Sequence, residues 1–576
     1  LIWLSLFHSA IGSHFFFGFK DLKNVFLRND LPTIKSLRSS SDFVINDSDS
    51  IESKSSLLDV NGSLKASFLS GLIEVGGSAK YLKDQKEFNN QSRVTGQYKS
   101  TTRLEQLSMT DLMTLEARQK DVINKSSATH IVTGILYGAN AFFVFDSEKL
   151  ESSRVKEIGG SMEALIKKIP SCGVGGHVSI KLTKEQEDLS AKVSCKFFGD
   201  FTLQSIPLTY GDAVKTFGQL PQLLGENGEK AVPMKVWLMP LTTLYPKAPK
   251  LASEIQSGLV GKIQHTLEDL REIQMRSNES LKDKVVENFP HIKEELETFQ
   301  KLCRLYTSNL QGTLKEKLPS TREGKEDESS LEKNIDNRDQ SPFNQEILIQ
   351  WLNYKEREIN VIRSCVEIME GTKIVKNQFE LDREVLAGDV DDALCFVFTS
   401  TKRGDTYLDV MATYLGTPAK GSTTEDPWFY SDEVLTSMRQ KAKTFQDFSK
   451  AQINNNRIRF LIAVIPNDKY KGATVYHYKQ GRLVKALSCH HYWEVGLDNA
   501  SSLIYILVAV TYKIMQRKGD VWKAELGNNT LSWALPWESN PDGCSTLGVC
   551  LDWPAGTLSF YEISSNTLTH LSHHIH

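Results

Sequence analysis

The chain has 576 residues, 68 Lys and Arg against 71 Asp and Glu, a formal charge of −3, and 40% apolar residues. That length is more than one hydrophobic core serves, so several domains are expected, and the near balance of charge gives no reason to expect nucleic acid as a partner. The eight cysteines are scattered without a CxxC pair or metal-ligand spacing, which predicts free buried thiols and neither a metal site nor a cofactor.

The N-terminal LIWLSLFHSAIGS has the apolar core and small-residue end of a signal peptide but neither Met nor a basic start, and reads as a truncated first exon before it reads as a signal. No later stretch reaches the roughly 18 apolar residues of a membrane-spanning helix. Any membrane role must therefore use strands or surface contact.

Between Ile51 and Leu82 two periods compete. Leu64, Phe68, Leu69, Leu72 and Ile73 share one helical face. Leu58, Val60, Gly62, Leu64, Ala66 and Phe68 alternate with polar residues, a strand pattern of about the 9–11 residues that cross a bilayer. Read alone, the segment is a half-buried element of a water-exposed sheet. Next comes Ala128–Asp146, a long β-branched and aromatic run with Gly138 in mid-course, which predicts a strand with a bend or bulge there. After a short helix around Met162–Ile169, Val174, Gly176, Val178, Ile180 and Leu182 alternate with polar residues. A charged turn is expected over Lys184–Asp188, and Leu189, Ala191, Val193, Cys195 and Phe197 then continue the alternation. This is an amphipathic hairpin with a charged tip, and His177 reads as a surface or lumen-side polar residue. Two such segments cannot close a barrel, because lipid tolerates no open sheet edge; many copies would have to stand side by side.

From Leu251 the period changes to helix. Ile255, Leu259, Ile263, Leu267 and Leu270 form one stripe; Ile292, Leu296, Phe299, Cys303, Tyr306 and Leu310 form a second. The charged TREGKEDESS is expected to be an exposed loop. A third helix over about Asn344–Met369 carries Leu348, Trp351, Leu352, Ile359, Ile362, Val366 and Met369, so a bundle is expected. Ala393–Ser400 reads as a buried strand, Ser431–Ser449 as a helix, Arg457–Pro466 as a strand and Ala473–Val484 as a hairpin, together a small α/β layer. Aromatic strands with Gly turns fill the C-terminal part. Consecutive Cys489, His490 and His491, and His573, His574 and His576, lack zinc-ligand spacing.

Ala128-Thr129-His130-Ile131-Val132-Thr133 followed by Leu136-Tyr137-Gly138-Ala139 resembles the central-strand signature of the perforin and cholesterol-dependent cytolysin superfamily, with Thr129, His130 and Gly138 as the signature and bend residues. More widely, Glu52–Leu82, Ile135–Glu151 and Val232–Leu241 resemble the stonustoxin and verrucotoxin family of fish cytolysins, over nearly the whole chain from about residue 40. The resemblance implies a multidomain α+β protein: a perforin-like bent antiparallel sheet with flanking helices (1–250), a focal-adhesion-targeting-like helical bundle (251–378), a thioredoxin-like α/β domain without CxxC (379–486) and a partial SPRY β-sandwich (487–576). The SPRY likeness rests on Cys489–Val495, Leu526–Leu535 and Leu547–Tyr561; the PRY portion and a closing strand after Tyr561 are expected to be missing.

The resemblance further implies a pore-forming subunit whose regions Ile51–Tyr98 and Ser152–Phe197 refold into membrane hairpins. The membrane-inserting candidates are then Leu58, Val60, Leu64, Ala66, Phe68, Val174, Val178, Ile180, Leu182, Leu189, Ala191 and Val193. The implied partners are target-cell membrane lipids, further copies of the chain and a paralogous second subunit. Secretion, without a conventional signal peptide, is expected. No catalytic motif is present: GxSxG, HExxH, P-loop and Rossmann glycines are all lacking. The alternative is a cytoplasmic, non-lytic SPRY-containing scaffold or innate-immunity binding protein.

Overall fold

The computed structural model describes residues 16–17, 33–60, 62–72, 76–108, 130–171, 180–248, 255–322, 324–401, 404–418, 428–452, 457–487, 491–496, 505–511, 532–538, 546–552, 557–563 and 568–575. These fall into two compact units, Leu1–Glu279 with Gln300–Ile349, and Ser280–Phe299 with Gln350–His576. Ala128, Thr129, Cys172, Val174, His177, Val178, Cys489, His490, Cys544 and His576 lie outside the described residues.

The first unit is built on the long apolar run. Strand β4 spans His130–Asp146. Strand β3 (Arg93–Leu107) pairs antiparallel with it, and β2 (Thr33–Asn46) pairs with β3. On the other side of β4, β6 (Val232–Pro240) covers His130–Gly138, and β5 (Ser194–Gly199) covers Ala141–Asp146. The short β1 (Phe16–Phe17) pairs with the start of β4. Gly138 stands where the neighbour changes, and the β3 register slips opposite it, between Thr101 and Arg103. A Cβ at Gly138 would collide with the carbonyl oxygen of Ser100 and the sulfur of Met234. The bulge predicted from a mid-strand glycine is thus present, and its cause is close approach of backbone.

Past the bulge, Ala139–Asp146 is buried throughout. One face of the strand presents Phe142 and Val144, the other Ala141, Phe143 and Phe145. A strand apolar on both faces must be covered on both.

The elements that cover it are helical. Helix α1 (Ile51–Leu57), N-capped by Ser50, α2 (Gly62–Leu69) and a 3-10 turn at Gly77–Lys83 replace the alternating strand pattern read between Leu58 and Phe68. Helix α3 (Val155–Ile166) follows β4. The stretch expected to be a charged turn, Lys184–Asp188, instead opens helix α4 (Lys184–Lys192). Thr183 and Gln186 form a reciprocal capping box, Glu185 and Glu187 lie in the first turn and Lys192 in the last, all of which favour helix locally. Helix α5 (Tyr210–Leu223) completes this layer.

Helix α6 (Ser257–Leu281), the short α7 (Lys284–Asn288), α8 (Pro290–Arg322), α9 (Glu328–Asp336) and α10 (Gln345–Ile368) follow. The stripes read from the sequence are buried, except that Val366 is half-buried and Cys365 is fully covered beside it. TREGKEDESS is an exposed turn only over residues 324–327: Thr321 and Arg322 are buried at the end of α8, and Asp327 caps α9 through the amide of Ser329. Residues of α8 and α10 are divided between the two units.

In the second unit, strands order β11-β10-β8-β9-β7. Here β7 is Lys373–Ile374, β8 Asp392–Phe398, β9 Ile458–Val464, β10 Ala473–Lys479 and β11 Arg482–Leu487. Helices α11 (Gln378–Val385), α12 (Thr406–Tyr414) and α13 (Asp432–Ala451) connect them. The β10–β11 hairpin turns on Gln480 and Gly481, both at positive φ (48° and 76°), as a type I′ turn requires. Strands β12 (His491–Gly496), β15 (Thr546–Asp552), β16 (Thr557–Ile563) and β17 (Leu568–Ile575) form one sheet, and β13 (Tyr505–Thr511) pairs with β14 (Ser532–Glu538). The strand expected to be missing after Tyr561 is therefore present as β17. Its alternation is hidden because Leu571 has no partner: His570 pairs with Tyr561 and Ser572 with Phe560.

Replacing Gly138 with Val should destabilise the first unit by about 2–3 kcal/mol through overpacking at the bulge. Thermal unfolding followed by circular dichroism measures it, and an unchanged midpoint would remove the steric account of this glycine.

Candidate functional site

Four strands of the first unit end at one level. Asn46 of β2 pairs with Thr95 of β3, Arg93 of β3 with Asp146 of β4, and Asp146 with Ser194 of β5. The chain between β2 and β3 carries α1, α2 and the 3-10 turn; the chain between β4 and β5 carries α3 and α4. Both helical segments thus leave and rejoin neighbouring antiparallel strands at the same end of the sheet.

They cover opposite faces. From the first segment, Tyr81 stacks on Phe142 with centroids 4.4 Å apart, and Leu57 and Leu58 pack on the same cluster. Burial pushes the Tyr81 hydroxyl up to about 12, and that hydroxyl bonds Thr95 Oγ1 at 3.1 Å. From the second segment, Met162, Leu165, Ile166 and Val193 join Ala141, Phe143, Phe145 and Cys195 on the other face.

The sequence-derived candidates are spread through these two layers. Val60 and Ala66 are buried, while Leu58 and Phe68 are half-buried; Leu64 falls on α2. Ile180, Leu182 and Leu189 are half-buried against the second cluster, which contains Val193, and Ala191 is exposed on α4. His130 begins β4 opposite Pro240.

An ion cluster, not singled out from the sequence, closes the strand ends. Arg93, buried to 1% side-chain exposure, donates to both oxygens of Asp146 (2.6 and 2.7 Å), to Asp49 at 2.8 Å and to Asp84 at 2.7 Å. Lys54 of α1, fully buried, bonds Asp49 at 2.6 Å and the Asp84 carbonyl at 2.6 Å. Lys196 of β5 lies 3.4 Å from Asp84 and 3.3 Å from Asp146. Three cations meet three carboxylates, and the carboxylates come from both flanks of the first segment and from the end of β4. Burial alone would raise the Asp49 carboxyl, but Lys54 and Arg93 hold it below the usual aspartate range. The only hint in the sequence is a charge placed directly at the end of an apolar strand, Asp146 after FFVF.

Asp200, after β5, makes a second tie. Its carboxylate accepts from the amide of Ser78 at 2.9 Å and from that of Asn140 at 3.0 Å, joining the 3-10 turn to the bulged part of β4. Burial holds its carboxyl above the usual range despite those bonds.

Helix α6 clamps the first segment from outside. Glu268 accepts from the Ile51 amide at 2.8 Å, Asn278 donates to the Glu87 carbonyl at 2.9 Å, and Glu279 accepts from the Asn90 amide at 2.5 Å. Gln311 of α8 donates to the Leu69 carbonyl at 2.9 Å. The second segment is tied differently, through Ser92 Oγ to the Val155 carbonyl (2.6 Å) and Lys168 to Gln186 (2.6 Å).

Among the described residues, no group of three or more His, Cys, Asp or Glu is placed to hold a metal ion, and no helix is long and apolar enough to cross a membrane. Cys195, Cys303, Cys365 and Cys395 are free and buried. Cys395 lies within β8, and burial holds its thiol well above the usual range, opposite to what a reactive thiolate needs.

Residues 265–360 match the family model of the stonustoxin helical domain, and residues 371–487 that of the thioredoxin-like SNTX domain. The chain is 40% identical to neoverrucotoxin subunit alpha of Synanceia verrucosa, with 92% of this chain and 89% of that protein aligned. It is 39% identical to cytolytic toxin-beta of Scorpaena plumieri, over 94% of this chain and 89% of that one. A solved stonustoxin structure superposes with a TM-score of 0.66 at 36% identity, covering 94% of this chain and 92% of its own.

Replacing Arg93 with Met leaves the buried carboxylates without their main partner and should cost about 3–5 kcal/mol. Amide exchange over α1 and the 3-10 turn, measured by mass spectrometry, should accelerate more than exchange over α5. Acid should act in the same direction. Asp49 has a depressed folded pKa, so its contribution is fully present above the unfolded value of about 3.9 and is lost as pH falls through the lower folded value. The protection factor over α1, exchange corrected for its intrinsic pH dependence, should then fall below about pH 4 and stay flat from about pH 5 to 7, and a fall confined to the range above about pH 5 would exclude this cluster as its cause.

Proposed function

The chain belongs to the stonustoxin family of fish cytolysin subunits, and from that premise we propose that it is a pore-forming cytolytic subunit whose two helical segments unfold into membrane hairpins. The observation that carries this reading is the common level at which β2, β3, β4 and β5 end. Straightening the first segment would prolong β2 and β3 as a hairpin; straightening the second would do the same for β4 and β5. Four prolonged strands, already in antiparallel register, would become one sector of a barrel. The sequence alternation at Leu58–Phe68 and at Val174–Val193 then places the twelve candidate residues on the lipid side.

Lipid admits no unpaired strand, so assembly must precede or accompany insertion. Among the described residues β2 is an edge strand, and Ile34 at 60% and Leu37 at 83% exposure on it support pairing with a second copy or a paralogous subunit. The chain is about equally similar to an alpha and to a beta subunit, which is consistent with a two-subunit toxin. The rest of the reading follows: target-cell lipid as the surface, secretion as the route, no catalysis, the domain bounds 1–250, 251–378, 379–486 and 487–576, and a SPRY-type module formed by β12–β17.

Ala191 separates insertion from fold stability. It is exposed on α4, so Ala191→Arg should leave the thermal midpoint unchanged. On the lipid side of a barrel an Arg near the midplane costs about 2–4 kcal/mol, repeated in every subunit. Dye release from erythrocyte-lipid vesicles, with a paralogous subunit supplied, should fall at least about tenfold. Ser190→Arg, on the lumen side, should release dye like the parent. Equal release from both variants would contradict insertion of this segment.

A further inference from the structure

Within the second unit a cavity of about 700 Å³ opens at the carboxyl end of β8, and open α/β sheets bind ligands at that end of their strands. Trp351, Tyr354, Tyr407 and Trp428 give it aromatic walls. Its polar floor is Lys355 among three carboxylates: Glu295 at 2.7 Å, Glu358 at 3.2 Å and Asp405 at 3.5 Å. Asp405 is satisfied otherwise, by the Trp351 indole N–H at 2.7 Å and by the amides of Tyr407 and Leu408 at the start of α12. Glu295 and Glu358, with side chains only 17% and 4% exposed, therefore share one ammonium.

With the exposed Lys471 also lining it, the cavity sets two ammonium groups against three carboxylates, a surplus of one negative charge that lies on the Glu295 and Glu358 side. Burial, reinforced by Glu358 and Asp405 against the pull of Lys355, pushes the Glu295 carboxyl up to about 7. The three carboxylates keep Lys355 charged, although burial opposes that. A further cation is the group this arrangement lacks. The geometry is not that of a metal centre, since no three carboxylates converge as ligands among the described residues.

A second observation is independent of charge. Thr401, 3% exposed, lines the same cavity, and its Oγ1 has no hydrogen-bond partner among the described residues. A buried hydroxyl left so costs about 1–3 kcal/mol, a cost that a ligand oxygen would remove. Aromatic faces combined with carboxylates hold organic ammonium ions, whose diffuse charge is attracted by the rings. A sugar would use the same aromatic walls but would leave the surplus charge unanswered.

We propose that this cavity binds a small organic ammonium ion of the choline type, free or as a lipid headgroup, with Trp428 and Tyr354 against the alkylated nitrogen, Glu295 and Glu358 opposing its charge, and Thr401 Oγ1 bonding the ligand oxygen. This does not depend on pore formation, because the soluble ion suffices as a probe.

The test is isothermal titration calorimetry on the full chain with choline chloride and with its neutral isostere, 3,3-dimethyl-1-butanol. Choline should bind saturably, and the isostere at least about tenfold more weakly. Trp428→Ala and Glu358→Gln should each weaken choline binding about fivefold or more, with near-UV circular dichroism verifying the fold. Absent choline binding, or equal binding of the isostere by the parent protein, overturns the proposal whatever the variants do. Phosphatidylcholine vesicles then distinguish the source. Sedimentation with them that free choline competes away assigns the lipid headgroup; sedimentation indifferent to choline assigns a soluble ammonium ion.

Discussion

Strand β4 cannot exist in water without two covers. From Ala141 to Phe145 its side chains are apolar on both faces, and the covers on Phe142 and on Phe143 are helical segments joined to the sheet at a single end. Each apolar area removed from water contributes roughly 25 cal/mol per Å², so the covers are held as firmly as the strand is apolar. That same burial is what a pore must give up. Leaving the sheet exposes Phe142 to Phe145 and is favourable only if lipid and neighbouring subunits bury at least as much.

The two covers are not held alike. The first is fixed by apolar packing of Tyr81, by the Arg93 cluster, by Asp200 and by the polar bonds from α6 and α8. The second rests mainly on side-chain packing and a few polar bonds. A buried ion cluster adds little net stability against a well-packed apolar substitute, but losing one member is costly. Freeing the first segment requires separating Arg93 from Asp49 and Asp84 and parting α6 from Ile51, Glu87 and Asn90, whereas freeing the second requires neither.

Much of this was legible in the sequence. A mid-strand glycine in an aromatic run announced the bulge at Gly138, and the stripe from Leu348 to Met369 and the stretch after Ser431 announced helices that the structure contains. The misreadings have local causes. At Lys184–Asp188 a charged run reads as a turn, but Thr183 and Gln186 cap a helix there, and a cap outweighs a period-two pattern when no partner strand is present. At β17 one unpaired residue, Leu571, breaks the alternation that identifies a strand. The Arg93 cluster was invisible because residues 49, 54, 84, 93, 146 and 196 meet only after folding, and no spacing rule joins them.

Whether the first segment must leave the sheet can be asked directly. Ser78 and Asp200 are close enough for the Asp200 carboxylate to accept the Ser78 amide at 2.9 Å, so Ser78→Cys with Asp200→Cys can bridge the 3-10 turn to the end of β5. Dye release from vesicles is then compared for the oxidised and the reduced protein. The account predicts no release while the bridge is intact and recovery on reduction; full release with the bridge demonstrably intact would contradict it.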